Sequence, residues 1–537
     1  MNSSTLWPTW MEDPANPEHI LLAKSADFGG DTLAKHTWDV LSRLSDQLRL
    51  RPNLHELAGE RVWARMFWGC FLHDFGKAAV GFQNILRKRE DIWAERRHRH
   101  EILSLAFVDW LFPKGHPDRE WVIAVIAFHH KDANEIFDKY GGKAATHQMQ
   151  PNDLESVQMM LNELAAHIAP DTRVQLWRWI DECALAWADT LGFQLEDIPQ
   201  LLPLEEAQTT QFPKTIFRAL RDFAEWSKQL NEAQKAVAML YRGLILTSDH
   251  AASAGVTDFP HMPAPGQWRQ RLNQLIWRAH QEAANTAPLG SAIMIAPTGS
   301  GKTEAAILWA ARQMEHRPAA RLFYTLPYQA SMNAMYQRLG HDFLGIENLS
   351  TEDNIQITIQ HSRALLKFYQ DMMNDERTPR EATEAAKYLR NRARLHFYPV
   401  QIFSPYQMLK AAYGLKGYEA LLVDYTDGLF IFDEIHAYEP KRMALIISMI
   451  GWLASNYRAR FLIMTATLPP MVKNALQAVL PDCHEIEATP ELFADSQRHR
   501  VEVHQGNLID QLDLILADYH ANKAVLVCCN QIAVAQE

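Results

Sequence analysis

Ala296-Pro-Thr-Gly-Ser-Gly-Lys-Thr303 decides the reading of the fold, and Asp433-Glu-Ile-His436 completes it. The first stretch lies between an apolar run, Ser291 to Ile295, and a helical pattern, Glu304 to Met314. That is the strand–loop–helix setting a phosphate-binding loop requires. Gly299 and Gly301 let the backbone turn, so that N–H groups of the Thr298, Gly299, Ser300, Gly301 segment face the phosphates of ATP. Lys302 is expected to reach the β/γ-phosphates, and the Thr303 hydroxyl to join Mg²⁺. The general pattern opens on glycine, where this chain has Ala296. The second stretch follows the strand-like run Gly428–Phe432 and sets two carboxylates at its end. Asp433 is suited to hold the metal and Glu434 to orient or deprotonate the attacking water. Either motif alone arises by chance; their pairing at the separation of one ATPase domain predicts ATP binding.

Around this pair, apolar strands alternate with helical patterns: Arg321–Leu326 then Gln329–Leu339, Phe430–Asp433 then Lys441–Ser455, Phe461–Thr465 then Pro470–Leu480. That alternation predicts a parallel sheet with helices on both faces and ligands at the carboxyl ends of strands. Leu326–Met335 (LPYQASMNAM), Gln360–Arg363 (QHSR), Phe403–Met408 (FSPYQM) and Thr465-Ala-Thr467 sit at such ends. In order and spacing they resemble superfamily-2 DExH helicases. The resemblance implies strand-gripping roles for the first three and, for Thr465–Thr467, coupling of hydrolysis to strand separation. It also implies an adenine-reading glutamine ahead of the phosphate loop, for which Gln274, on an expected helix Trp268–Ala279, is the candidate. Asp371–Arg394 reads as a charged helical insertion, with Arg390, Arg392 and Arg394 available to nucleic acid or simply exposed.

The 537 residues suffice for two to four domains, and 47% apolar with 22% charged content is ordinary for a globular protein. The net charge of −11 exerts no general pull on nucleic acid, so binding there needs a local basic channel. Five cysteines without a CxxC suggest a reducing cytoplasm. No signal peptide is legible at the N-terminus, and the longest apolar run, Met443 to Ala454, is too short for a bilayer, so no membrane partner is expected.

Residues 1–255 read as helical, with apolar positions recurring at three and four in Val62–Leu72, Ile102–Leu111 and Leu161–Ile168. Their notable content is histidine beside aspartate, above all Phe71-Leu-His-Asp-Phe-Gly-Lys77. Adjacent His73 and Asp74 at a helix end can turn toward one cavity, and imidazole with carboxylate suits borderline divalent metals. Such a metal lowers the pKa of bound water. Lys77 is placed to stabilise charge developing on a phosphate. The aromatic stripe Trp63, Phe67, Trp68, Phe71 reads as core packing. Between Arg87 and Arg99 six basic residues face three acidic ones, which suits either a nucleic-acid backbone or an ion-paired helix face.

The ordered set H…HD…H…HH…D resembles the HD superfamily of metal-dependent phosphohydrolases. The resemblance carries His36, His73, Asp74 and a late aspartate to one metal, and His100, His129 and His130 to a second. Asp249, in Tyr241–Ala254, is the favoured late aspartate, with Asp189, in Ala184–Gly192, as the alternative; His98 competes with His100.

A glycine- and proline-rich stretch, Gly255–Gly266, marks a boundary. The expected fold is therefore multidomain: an all-α HD domain over 1–255, an α/β RecA-like first helicase lobe over 256–507, and over 508–537 a linker with the start of a second lobe, whose first strand Ala524–Cys529 resembles. An arginine finger would lie in that second lobe, so ATP turnover by this chain alone is expected to be incomplete.

HD domain and DExH lobe in this order resemble one family, the nuclease-helicases of type I CRISPR systems. The resemblance implies a single-stranded DNA nuclease with an ATP-driven motor. His73, Asp74 and Lys77 would act at its nuclease centre, with one or two Fe, Mn, Co or Ni ions there. ATP with Mg would bind in the lobe, and an RNA-guided surveillance complex would be the partner. Tyr328 stands where the family more usually has threonine. Two other readings stay open: a helicase of another pathway whose HD module only binds, and an HD phosphohydrolase of small nucleotides.

Overall fold

The computed structural model describes residues 8–12, 17–96, 98–129, 133–140, 151–273, 276–318, 321–349, 351, 353–361, 363–364, 367–368, 370, 379–497 and 501–529. As the histidine-rich sequence predicts, its first half is helical, and the second is built on one parallel sheet. The strands are β1 (Ala292–Ile295), β2 (Leu322–Thr325), β3 (Ile357–Gln360), β4 (Val400–Phe403), β5 (Leu429–Asp433), β6 (Arg460–Thr465) and β7 (His484–Glu487), in the order β3-β4-β2-β5-β6-β1-β7. They read as continuous apolar runs because both faces of a parallel sheet are covered.

The two faces sort the side chains by alternation. Ala292, Met294, Leu322, Tyr324, Leu429, Ile431, Leu462 and Met464 point to one core, packed under the Lys302–His316 helix. Ile293, Phe323, Phe430, Phe432, Phe461 and Ile463 point the other way, into a core continuous with the helices of residues 33–253. One hydrophobic interior thus runs from the helical half into the sheet, and Met1–Ala488 forms a single compact unit. Thr489–Glu537 forms a second, with helices Pro490–Asp495 and Leu512–His520. Residues 524–529 form no strand among the described residues, in contrast to the expectation from their apolar pattern. A strand exists only through hydrogen bonds to a neighbour, and no described residue pairs with this one.

The junction between the halves is tight. Helix Glu232–Ser253 crosses helix Tyr418–Tyr425 so closely that a Cβ on Gly243 would lie 2.2 Å from the Glu419 carbonyl oxygen. Nearby, the buried Asp424 carboxylate receives Arg51 at 3.1 Å from the helical half and Arg321 at 3.3 Å and His396 at 2.8 Å from the sheet half. Burial pushes the Asp424 carboxyl up, but Arg321, His396 and Arg51 outweigh it and hold it below the usual carboxylate range. A group shifted down stabilises above its unfolded pKa and loses that contribution as pH falls through its folded value.

The expected helix Trp268–Ala279 is instead two helices, Pro265–Gln270 and Ala279–Asn285. Pro265 starts the first at its N1 position, and the second is capped by Gln281, whose side-chain oxygen accepts from the Arg278 N–H at 2.9 Å. The apolar run at Met443 lies in the helix Pro440–Tyr457, buried on one face. Among the described residues no helix is long and apolar enough to cross a membrane.

Removing one partner of a buried ion pair leaves uncompensated charge, at a cost of about 3–5 kcal/mol. Asp424→Ala should therefore lower the thermal midpoint by roughly 3–5 °C at neutral pH. The difference from the parent protein should shrink below pH 4; an equal midpoint at pH 7 would mean the junction contributes nothing.

Candidate functional site

The helical half gathers its histidines around one carboxylate. Thr32 caps the Leu33–Leu50 helix, accepting from Lys35 N–H at 3.1 Å, and His36 projects from the first turn. Helix Val62–Leu72 ends at His73, and the backbone change there lets Asp74 turn to the same side. Gly76 then allows close approach of the His100–Ser104 helix, since a Cβ would lie 1.9 Å from the His100 carbonyl oxygen. Ser104 secures the contact, its hydroxyl accepting from Gly76 N–H at 2.8 Å and lying 2.7 Å from the His73 carbonyl.

Asp74 Oδ2 lies 3.2 Å from His36 Nε2, 3.1 Å from His73 Nε2 and 2.6 Å from Lys77 Nζ; Oδ1 lies 3.2 Å from His100 Nε2 and 3.9 Å from His129 Nε2. Asp249 Oδ1 lies 3.3 Å from His36 Nε2. Asp189 is on an exposed face of the Pro170–Leu191 helix, away from the cluster. His98 faces Glu163 at 3.5 Å and packs on Trp93 and His167, so His100 alone of that pair reaches Asp74. His130 and Gln274 fall outside the described residues.

The donor set fits a divalent ion. His36, His73 and Asp249, and separately His73, Asp74 and His129, bring ligand atoms within 4.8 Å of one another. An ion bound at about 2.1 Å from its ligands spans pairs roughly 3–3.5 Å apart. The Nδ1–H of His73 donates to the Cys70 carbonyl at 2.6 Å, and that of His129 to the Ile126 carbonyl at 2.7 Å. Each bond fixes the tautomer and turns the Nε2 lone pair into the cavity. His36 Nε2, His73 Nε2 and both Asp74 oxygens are buried without a well-aligned hydrogen bond among the described residues. Buried polar atoms left so are unusual unless an ion or water completes them. Burial pushes the Asp74 carboxyl up, yet the charges of His73 and Lys77 and the contacts of His100 and His36 hold it well below the ordinary range. His36 is pushed down by burial but more strongly up by Asp249 and Asp74, the charge pattern a cation would replace.

The described residues of the basic stretch beyond His73 are ion-paired, Arg87 and Arg89 with Glu18, Lys88 with Asp27, Arg96 with Glu163 and Arg99 with Glu101, and Arg97 lies outside the described residues. Phe67, Trp68 and Phe71 are buried core, as their spacing suggested. From the insertion helix Pro379–Arg394, Arg392 is packed 3.8 Å from the Phe397 ring centroid, while Arg394 is exposed.

At the other centre, β1 leads through Gly299 (φ 78°) and Gly301 (φ 88°) into the Lys302–His316 helix, bounding a cavity of about 470 Å³. Thr298, Ser300, Asp433 and Glu434 line it. Lys302 Nζ donates to the Ala296 carbonyl at 3.2 Å and lies 3.8 Å from Glu434. Arg338 donates to the Thr303 hydroxyl at 3.1 Å. Glu434 has φ of 55°, a strained backbone for a non-glycine residue. Tyr324 O–H donates to Asp433 at 3.0 Å; burial first, then Glu434, raises the Asp433 carboxyl to about 6. His436 Nδ1 lies 2.7 Å from the Thr465 hydroxyl, joining the DEIH and Thr465–Thr467 segments, and His361 lies 3.1 Å from Asn333.

Three residues at this cavity were not read from the sequence: Arg278, Arg338 and Gln281, whose side-chain amide donates to the Gly301 carbonyl at 3.2 Å. Gln281 follows its helix start by a few residues and abuts the loop, a relation visible only once the helix is divided.

These geometries define a class: an HD-type metal site built against a RecA-like lobe with a phosphate loop. The comparisons with known proteins agree. The model of the Cas3 HD domain matches residues 23–255, and that of the DEAD/DEAH box helicase matches residues 278–475. The CRISPR-associated nuclease/helicase Cas3 of Methanothermobacter thermautotrophicus is 25% identical over 96% of this chain and 63% of its own length. The CRISPR-associated endonuclease/helicase Cas3 of Thermus thermophilus is 24% identical over 78% of this chain and 45% of its own. A solved structure described as a CRISPR-associated protein shares the fold, with a TM-score of 0.51 at 18% identity over 90% of this chain and 55% of that one. The chain thus matches these two family models in order and resembles CRISPR-associated nuclease/helicases over most of its length, and it spans less than two thirds of the length of these curated relatives.

A raised carboxyl favours the folded state below its unfolded pKa and loses that advantage as pH rises through the folded value. Without nucleotide or metal, Asp433→Asn should therefore raise the thermal midpoint at pH 8 and leave it nearly unchanged at pH 4. A midpoint lowered at pH 8 would show that the Asp433 charge is not a burden there.

Proposed function

We propose that this chain cuts single-stranded DNA at the Asp74 cluster and binds ATP with Mg²⁺ at the phosphate loop, as part of a CRISPR interference nuclease-helicase. The observation that carries it is the convergence of His36, His73, Asp74, His100, His129 and Asp249 on one buried cavity. His36, His73, Asp74 and Asp249 would hold one divalent transition metal, and His100 and His129, with His130, a second. A metal held there would lower the pKa of bound water and offset charge on the phosphodiester. Asp74 sits between His36, His73 and His100, where its carboxylate faces their Nε2 atoms. Lys77, 2.6 Å from Asp74, is held at the cavity, where its ammonium stabilises the charge that builds on the scissile phosphate.

A cleft of about 500 Å³ supports a strand as substrate. It is lined by His129 from the metal cluster, by His250, and by Arg394 and Lys416 from the sheet half. Arg242 is paired with Glu419 and Glu135 lies on the same cleft, and Arg394 and Lys416 are the cations there that suit a phosphodiester backbone held without sequence preference. In the lobe, Lys302 and the loop N–H groups bind the phosphates, Thr303 and Asp433 hold Mg²⁺, Glu434 orients the attacking water, and Gln281 buttresses the loop. The relatives are CRISPR-associated, which makes the RNA-guided surveillance complex the partner this reading implies.

With Mn²⁺, Co²⁺, Ni²⁺ or Fe²⁺ and no ATP, the protein should degrade circular single-stranded DNA. EDTA should stop it, and Asp74→Ala should slow it by about 100-fold or more. Intact folded protein that cuts with none of these metals would remove the nuclease assignment. Separately, Lys302→Ala should weaken ATP binding by about 10–100-fold, the loss of one charge-assisted contact, with ATP-independent cutting unchanged. Unaltered ATP affinity in isothermal titration would remove the phosphate-loop assignment.

A further inference from the structure

Three neighbouring strands, β4, β2 and β5, end side by side, with Thr325 in register with Phe403 and Phe432. A tyrosine follows each end. Tyr406 opens the helix Pro405–Ala412 after β4, Tyr328 precedes the helix Gln329–Arg338 after β2, and Tyr438 closes the turn after β5. Tyr328 is 60% and Tyr406 42% exposed, whereas Tyr438 is buried beneath them at 7%. The Tyr406 and Tyr438 rings meet edge-on, 6.5 Å between centroids and 88° between planes. Arg442 donates to the Tyr406 hydroxyl at 3.2 Å and holds its guanidinium 5.7 Å from that ring. Glu439, exposed, lies 3.6 Å from Arg442.

Isolated exposed aromatics are ordinary on a protein surface. Here two exposed rings share adjacent strand ends over a third, buried ring whose hydroxyl has no hydrogen-bond partner among the described residues. Burial, then Tyr406, Tyr328 and Asp433, raise the Tyr438 phenol, so both exposed rings lie within electrostatic reach of it. An aromatic platform with a guanidinium at its edge is what unpaired bases stack on, because every base offers a π-face. Lys410, one turn beyond Tyr406 in its helix, is lowered by burial and then by the charge of Arg394. Arg394 in turn lines the cleft that includes His129.

We propose that Tyr406, seated on Tyr438 and edged by Arg442, and Tyr328, exposed beyond the neighbouring strand end, form a base-stacking ledge for single-stranded nucleic acid. The ledge holds the strand by its bases. This rests on the reading of the chain as acting on single strands. It adds a contact that distinguishes bases from bare backbone.

The test measures anisotropy of a labelled oligo-dT and of an abasic oligomer of equal length, on the full chain and its variants. Tyr406→Ala and Tyr328→Ala should each weaken oligo-dT binding by about fivefold or more. Tyr406→Phe and Tyr328→Phe should bind as the parent does, and all should bind the abasic oligomer with one common, weaker affinity. Alanine variants that bind oligo-dT like the parent, or that lose both oligomers alike, would overturn the ledge, as would phenylalanine variants as weak as alanine. If metal-dependent cutting persists in that case, the nuclease reading stands without it. A parent protein that neither binds nor cuts oligo-dT would overturn both.

Discussion

The close crossing at Gly243 is the constraint on which the relation between the two chemical centres depends. With no side chain at that position, helix Glu232–Ser253 rests against the backbone of helix Tyr418–Tyr425. Glu232–Ser253 is also the helix that carries Asp249 into the metal cluster. One rigid rod therefore fixes a candidate ligand at one end of its face and the sheet at the other. Asp424, on the opposing helix, ties Arg51 and Arg321 across the same seam. Arg321 immediately precedes β2, the strand whose Tyr324 holds Asp433. Packing of this density transmits displacement rather than absorbing it. The cleft lined by both halves exists because neither half can slide.

The gathering of histidines around Asp74 was largely legible in the sequence because it is concentrated in residue types that are rarely idle together. His73-Asp74 at the end of an apolar helix, followed by glycine and lysine, requires a cavity on one side and close backbone on the other. The structure has both: Asp74 amid imidazoles, and Gly76 against the His100 carbonyl. What the sequence left open was decided by helix faces. Asp189 and Asp249 both sit in small-residue helical contexts, but only Asp249 faces inward with His36. The basic run from Arg87 to Arg99 looked equally suited to nucleic acid or to ion pairs, and it is the acidic neighbours from distant segments, Glu18, Asp27 and Glu163, that absorb it. No local pattern reveals partners so far along the chain.

The sheet was legible for a different reason. Continuous apolar strands alternating with helices admit few topologies, and phosphate loop and acidic pair must lie at strand ends. Errors arose where a short-range pattern was read without its tertiary partner. The helix expected at Trp268–Ala279 carried an amphipathic period, yet burial of Trp268 and the Gln281 cap divide it. That division sets Gln281 beside the loop, while Gln274 lies outside the described residues. Residues 524–529 have every intrinsic mark of a strand and form none, because β propensity describes a fit to neighbours and is not a property of the backbone alone.

The same logic explains why the tyrosine ledge was invisible as a pattern. Tyr328, Tyr406 and Tyr438 come from three separate motifs and share no spacing. Parallel strands of a sheet lie about 4.8 Å apart, so residues placed similarly beyond adjacent strand ends become neighbours whatever their sequence separation. The carboxyl edge therefore collects the ends of β1, β5 and β6 around the phosphate loop, and those of β4, β2 and β5 under the tyrosines. β5 belongs to both groups: Asp433 closes its nucleotide end, and Tyr438, five residues on, closes its strand-facing end. Asp433 contributes to raising the Tyr438 phenol, so the two residues share one electrostatic environment.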